Sequence, residues 1–212
     1  MNHLAHLYFS GPQPELQVGG LLGDFVKGPL RGHYPAGIEA GIRRHRRIDA
    51  ICAELPAIRA LLAMVAPCWR RYAGIAIDLA FDHLLARQWA QFHRRPLRDL
   101  CVDFYGALAA NRQWLPAAAL RFCDLAPQQH WLERYDDEEL MQDILEHIGR
   151  RLRHPRSLKP LWHQLQARPG ELEAAFQTTM DALVQGCGWQ PDREIPPSRW
   201  PTALTPPKAA RE

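Results

Sequence analysis

Two stretches of the sequence place ionisable side chains where a packing pattern calls for apolar ones. In GIEAGIRRHRRIDAIC, wound at about 100° per residue, His45 and Asp49 fall one turn apart on the side that carries Ile38, Ile42, Ile48 and Cys52. Arg43, Arg44 and Arg47 point to the other side, with Arg46 at the margin. In YAGIAIDLAFDHLLARQW, Asp78 and Asp82 fall one turn apart beside Ile75, Phe81, Leu85 and Trp89, with His83 on the flank. Burying such groups without partners is costly. Two ionised carboxylates accept hydrogen bonds only and cannot satisfy each other. A cation between or near them is the economical solution, and a divalent metal is the expectation. The structural alternative pairs Asp78 and Asp82 with Arg46 or Arg71, and makes His45 and Asp49 a hydrogen bond between helices.

Smaller features fit the same picture. Asn2 and His6 stand four apart among Leu4, Leu7, Tyr8 and Phe9, and Asp24 stands alone in GGLLGDFVKG, where small residues permit close helix approach. Their structural readings are a satisfied core histidine for His6 and a helix-end cap for Asp24. His3 is read as a surface residue. His33, His93, His130, His147, His154 and His163 share no spacing and receive no role.

The elements that must position these groups are helices. Apolar residues recur at helical spacing through nearly the whole chain, and no stretch alternates long enough for a half-buried strand. The expected class is all-α, a single-domain helical bundle over residues 1–187. The spacing predicts helices over 2–9, 16–26, 37–53, 55–65, 71–92, 97–114, 136–152, 158–167 and 171–185. Gly28, Pro29 and Gly32 mark a loop before Pro35, which suits the start of a helix. Over 188–212, Pro191, Pro196, Pro197, Pro201, Pro206 and Pro207 interrupt regular structure, and an extended or disordered tail is expected.

Composition narrows the function class. With 212 residues, 47% hydrophobic and 23% charged, the chain can bury one sizeable core and is neither a disordered nor a membrane sequence. No apolar run approaches the roughly 20 residues that span a bilayer. No basic leader precedes a continuous apolar stretch at the start, so the expected location is cytoplasmic. The five cysteines are scattered and never form a CxxC pair, which points to reduced thiols and away from a zinc ribbon. The net charge of +3 is mild, but arginine is concentrated at 43–47, 70–71 and 150–153. Such clusters suit an acidic partner, and a solvated helix face gives the same pattern.

In their order, the segments MNHLAHLYFS, GGLLGDFVKG, GIRRHRRIDA and DLAFDHLLARQW resemble the acyl carrier protein phosphodiesterase family. The helical segments after Leu97, including QHWLERY at 129–135, resemble it more loosely. The resemblance implies a divergent, permuted relative of the HD-type metal phosphohydrolases. It also implies hydrolysis of holo-acyl carrier protein to the apo form and 4'-phosphopantetheine, with manganese as the cofactor. The matching polar positions are Asn2, His6, Asp24, His45, Asp49, Asp78, Asp82 and His83. At position 3 the family has an apolar residue where this chain has His3, which speaks against a metal role there.

Face analysis and resemblance together yield one expectation. Asp24, His45, Asp78 and Asp82 hold a divalent ion, a mixed set that suits manganese. The ion activates a water that attacks phosphorus, and His83 or His6 protonates the departing serine oxygen. Asp49 is either a ligand or the partner that orients an imidazole. Asn2, Arg43, Arg44, Arg46 and Arg47 contact substrate, and the arginines steer an acidic carrier. An HD-like phosphohydrolase acting on a nucleotide or other small phosphoester is the alternative. A non-catalytic nucleic-acid-binding module leaves Asp78 and Asp82 unexplained, so neither nucleic acid nor membrane is an expected partner.

Overall fold

The computed structural model describes residues 1–188, which contain helices and no strand. The α-helices run in the order α1 (His3–Ser10), α2 (Pro14–Leu22), α3 (Ala36–Glu54), α4 (Pro56–Met64), α5 (Arg70–Arg87), α6 (Trp89–Phe92), α7 (Leu97–Ala110), α8 (Ala117–Gln129), α9 (Glu138–Arg150), α10 (Lys159–Gln166) and α11 (Pro169–Cys187). Three 3₁₀ turns, at Pro67–Trp69, Arg112–Trp114 and Leu132–Arg134, join successive helices. The all-α expectation is met. No described helix is long and apolar enough to cross a membrane. Residues 189–212, which carry nearly all of the expected tail, lie outside the described residues.

α5 is the spine of the core. Ala73, Ala76, Ile77, Leu79, Ala80, Phe81, Leu85 and Ala86 are all buried, so the helix is enclosed on most of its circumference. Its alanines let neighbouring helices come close. α1 packs against it, and everything in α1 from Leu4 to Ser10 is buried.

An eight-residue helix is too short to hold its shape unaided, since isolated helices below about 12–15 residues are marginal in water. Its N-cap residue, Asn2, makes no side-chain cap bond. Asp82 of α5 supplies the missing acceptors, with the N–H groups of Asn2 (3.2 Å), Leu4 (2.7 Å) and Ala5 (3.2 Å) all donating to its carboxylate. One turn earlier, Asp78 Oδ1 accepts from the buried Met1 ammonium at 2.6 Å. The cation required by these two acids is therefore the chain's own amino group, assisted by a helix N-terminus. The protein thus supplies at this place what the sequence left to a metal ion.

α2 and α3 meet backbone to backbone. A Cβ on Gly19 would come within 2.7 Å of the Gly41 Cα, and one on Gly41 would come equally close to the Gly19 Cα at 2.7 Å while striking the Leu16 carbonyl. Helical periodicity alone cannot announce such a contact, but it decides how closely the two elements approach.

Three boundaries differ from expectation. The stretch predicted as one helix over 71–92 breaks at Gln88 (φ −103°, ψ 13°) into α5 and α6. α2 ends at Leu22, short of the predicted 26. α8 was not among the expected helices. Pro116 is the N-cap, and Pro127 falls in the last turn, where little helix remains to disrupt. His130, in the left-handed region at φ 50°, then closes the helix.

The glycine contact generates a paired prediction. Gly41→Ala forces α2 and α3 apart and should lower stability by about 1–3 kcal/mol, a fall in Tm of roughly 3–10 °C for a domain of this size. Gly74→Ala in α5, where a Cβ meets nothing within 4 Å, should instead gain about 0.5–1 kcal/mol. Thermal melts of both variants check this, and a Gly41→Ala protein melting with the wild type would contradict the backbone contact.

Candidate metal centre

α1 and α3 bring His6, His45 and Asp49 together. The two imidazoles stack with centroids 3.7 Å apart and planes 13° from parallel. Both direct Nε2 at Asp49, His6 at 3.3 Å from Oδ1 and His45 at 3.2 Å from Oδ2. Asp24, just beyond α2, adds a second carboxylate with Oδ1 3.7 Å from His45 Nε2. Its other oxygen lies 3.3 Å from His3 Nδ1.

Close packing on both sides fixes the His45 ring. Its Nδ1 is 2.7 Å from the Gly20 carbonyl oxygen, which can only accept, so Nδ1 carries a proton and Nε2 faces the carboxylates. Gly23 leaves room for the ring, since a Cβ there would overlap it. The Gly19–Gly41 contact is what brings the α2 carbonyl within reach. An imidazole oriented through its far nitrogen by a backbone carbonyl is the usual arrangement of a metal-binding histidine.

Burial and charge set the protonation states. Burial, reinforced by the neighbouring His45, lowers the His6 pKa to about 4 against the pull of Asp49, so this ring is neutral at pH 7. Burial pulls His45 the same way, but the Asp49 hydrogen bond and the Asp24 and Asp49 charges outweigh it and raise its pKa. Burial would raise Asp49, yet its bonds to His45 and His6 hold it far below the ordinary carboxylate range. Asp24 is likewise lowered despite partial burial, chiefly through His3. His6 Nδ1 is buried without a hydrogen-bond partner among the described residues.

The remaining candidates lie elsewhere or serve other ends. Asp78 and Asp82 anchor the N-terminus, as described above. The contacts of His83 are with other residues, Nδ1 lying 2.8 Å from the Tyr135 carbonyl and the ring edge-on to Trp162. Asn2 is half-buried above Asp82. Arg43 pairs with Glu39 at 3.2 Å. Arg44 donates to the carbonyls of Phe9 (3.2 Å) and Ser10 (3.1 Å), Arg46 to Val26 (2.9 Å) and Arg47 to Gly186 (2.8 Å). These three guanidinium groups pin α1, the loop after Asp24 and the end of α11 onto α3.

Sequence reasoning missed His3, which is half-buried, paired with Asp24 and edge-on to Phe122 of α8 at 5.2 Å. Its signal was the three-residue spacing to His6, which puts both rings on one side of a helix.

Ligand atoms from His6, His45 and Asp49 all lie within 4.8 Å of one another. Two neutral-capable imidazole nitrogens, an ionised carboxylate and a second carboxylate nearby fit a small divalent cation. Both rings are 3% exposed, whereas the side chains of Asp24 and Asp49 are 45% and 52% exposed, so the cluster opens to solvent on its carboxylate side.

Comparison with known proteins identifies the family. The family model described as acyl carrier protein phosphodiesterase matches residues 1–183. A protein of that name from Salmonella newport (strain SL254) is 35% identical over 179 residues, covering 83% of this chain and 92% of its own length. Namesakes from Salmonella dublin and Salmonella agona (strain SL483) are 33% and 34% identical over the same shares of both chains. No solved structure matches the chain. With the match running from α1 through most of α11, the chain belongs to the acyl carrier protein phosphodiesterase family.

Proposed function

We propose that this protein is a metal-dependent phosphodiesterase that cleaves 4'-phosphopantetheine from the serine of holo-acyl carrier protein, leaving the apo form. The observation that carries the reading is the convergence of His6, His45 and Asp49 on one point, in a chain whose relatives bear the name of that activity. His6 Nε2, His45 Nε2 and Asp49 would hold the ion, with Asp24 as a fourth donor, and manganese suits such a mixed set. A divalent ion there supplies Lewis acidity, lowering the pKa of water and polarising a phosphoryl oxygen.

The chain's own residues do the rest. Asp24 and Asp49 stay ionised at neutral pH and, on the exposed side, can accept the proton of the attacking water. Attack at phosphorus breaks the bond to the carrier serine, whose oxygen then needs a proton. His83 is engaged with the Tyr135 carbonyl and His6 with Asp49, which leaves His3, held by Asp24, as the imidazole for that role. The arginines of α3 contribute chiefly as clamps. Arg43 and Arg47, being exposed, also extend a positive field toward an acidic carrier, and a cytoplasmic setting suits the reduced cysteines.

Incubating the protein with holo-carrier protein and Mn²⁺ should shift the carrier to its apo mass. Asp49→Asn and His45→Gln should retain the fold while losing turnover by about 100-fold or more. Asp78→Asn should instead lower the melting temperature and leave Mn²⁺ binding intact. Nucleotide turnover without a carrier mass shift would replace the carrier with a small phosphoester as substrate. Full activity in both centre variants would remove the site.

Protonation supplies an independent check. His45 must lose a proton before Nε2 can ligate, and its pKa lies above the ordinary 6.5, whereas His6, at about 4, is already neutral. Affinity for Mn²⁺ should therefore rise with pH through the His45 titration and level off above it. Calorimetry near pH 6.5 in buffers of different ionisation enthalpy should register release of about one proton per ion bound. Binding with no proton release and no pH dependence would exclude His45 as a ligand.

A further inference from the structure

A row of aromatic rings leads from the metal centre onto α8. His3, whose Nδ1 lies 3.3 Å from Asp24 Oδ2, meets Phe122 edge-on with ring centroids 5.2 Å apart. Phe122 in turn meets Trp131 edge-on at 5.7 Å and is backed by Phe104 at 6.4 Å. Three successive contacts therefore join the carboxylate side of the centre to an indole, and beyond His3 the row is uncharged.

Local structure brings the indole back to this face. α8 closes at His130 in the left-handed region, and the Trp131 N–H donates to the Ala126 carbonyl at 3.1 Å. That reversal lays the Trp131 ring against Phe122, and the Tyr105 hydroxyl secures the turn by accepting from the Leu132 N–H at 3.3 Å. Phe122 is buried, whereas His3 and Trp131 are half-buried, so both ends of the row meet solvent. At the exposed end the indole N–H donates to Gln129 Oε1 at 2.9 Å. A half-buried tryptophan is ordinary in itself. This one is set apart by its continuity with the place where the phosphorus would sit.

We propose that Trp131 binds the pantetheine arm of the substrate, which leaves the centre past His3 and lies across the indole, while Phe122 holds that indole in position. The proposal rests on the phosphodiesterase reading and deepens it by giving the arm a place. The chemistry matches, because beyond its phosphate the arm is uncharged, with a dimethyl-bearing carbon near the ester followed by amides. Its methyl groups and methylenes suit aromatic faces, and its amides suit the polar rim at Gln129. An acidic protein surface, by contrast, finds no cation among Phe122, Phe104 and Trp131.

Calorimetry on the Mn²⁺-loaded protein, with 4'-phosphopantetheine and inorganic phosphate as ligands, isolates the arm. The wild type should prefer the arm-bearing ligand by about 10-fold or more. Trp131→Ala should reduce that preference to within about 2-fold while leaving phosphate affinity unchanged, and Trp131→Phe should keep most of it. On holo-carrier protein, Trp131→Ala should raise KM by about 10-fold with little change in kcat. A wild type without the preference, or a preference that survives Trp131→Ala, would overturn the proposal. So would a raised KM with the preference intact, which would give the rings to the carrier's protein surface, and so would tighter binding of AMP than of 4'-phosphopantetheine. Loss of phosphate affinity in Trp131→Ala would make the residue a structural support and overturn it equally. A wild type inert toward the carrier, yet with a preference that depends on Trp131, would sink the phosphodiesterase reading and leave the arm site standing.

Discussion

One carboxylate, that of Asp82, holds the first helix of this protein in place. The three N–H groups it accepts come from Asn2, Leu4 and Ala5, and no local side chain of α1 does that work. A negative charge at a helix N-terminus is favoured by the aligned peptide dipoles as well as by the hydrogen bonds. Burial pushes the Asp82 carboxyl up to about 6, against the Met1 ammonium and the N–H groups of Leu4 and Asn2, which favour its ionised form. Because Asp82 lies on the buried spine of the core, α1 is fixed to the least mobile part of the molecule, and His3 and His6 are fixed with it.

The opposite half of the site depends on shape. Glycines at 19 and 41 let the backbones of α2 and α3 touch, which puts the Gly20 carbonyl against His45 Nδ1. Arg44 and Arg46 then tie α3 to the end of α1 and to the loop after Asp24, so two of the three segments bearing candidate ligands are secured by guanidinium-to-carbonyl bonds. A lysine at 44 would keep the charge but lose the planar guanidinium whose Nη1 reaches two carbonyls.

Much of this was legible in the sequence, and what was not has physical reasons. Helical periodicity located every long helix except α8, whose Pro116 and Pro127 sit at positions a helix tolerates. The face analysis found His45 and Asp49, because polar letters on an apolar stripe are visible without coordinates. The same analysis looked for a cation beside Asp78 and Asp82. It could not name that cation, since the partners are a terminal amine and backbone N–H groups, which have no letter of their own and come from about 80 residues away. The arginines were read as a rim because rotation about one helix says nothing of which carbonyls neighbouring segments present. His3 was read as surface, and its partner Asp24 belongs to a different segment.

The burial order within the cluster has a consequence for traffic. The stacked imidazoles form the floor and the carboxylates of Asp24 and Asp49 form the doorway, so any solute arriving from water meets oxygen before nitrogen. The rings lie 3.7 Å apart and stacked, so each restricts rotation of the other. An ion held there, as proposed, would meet hard oxygen donors on entry and be retained by the more deeply buried nitrogens.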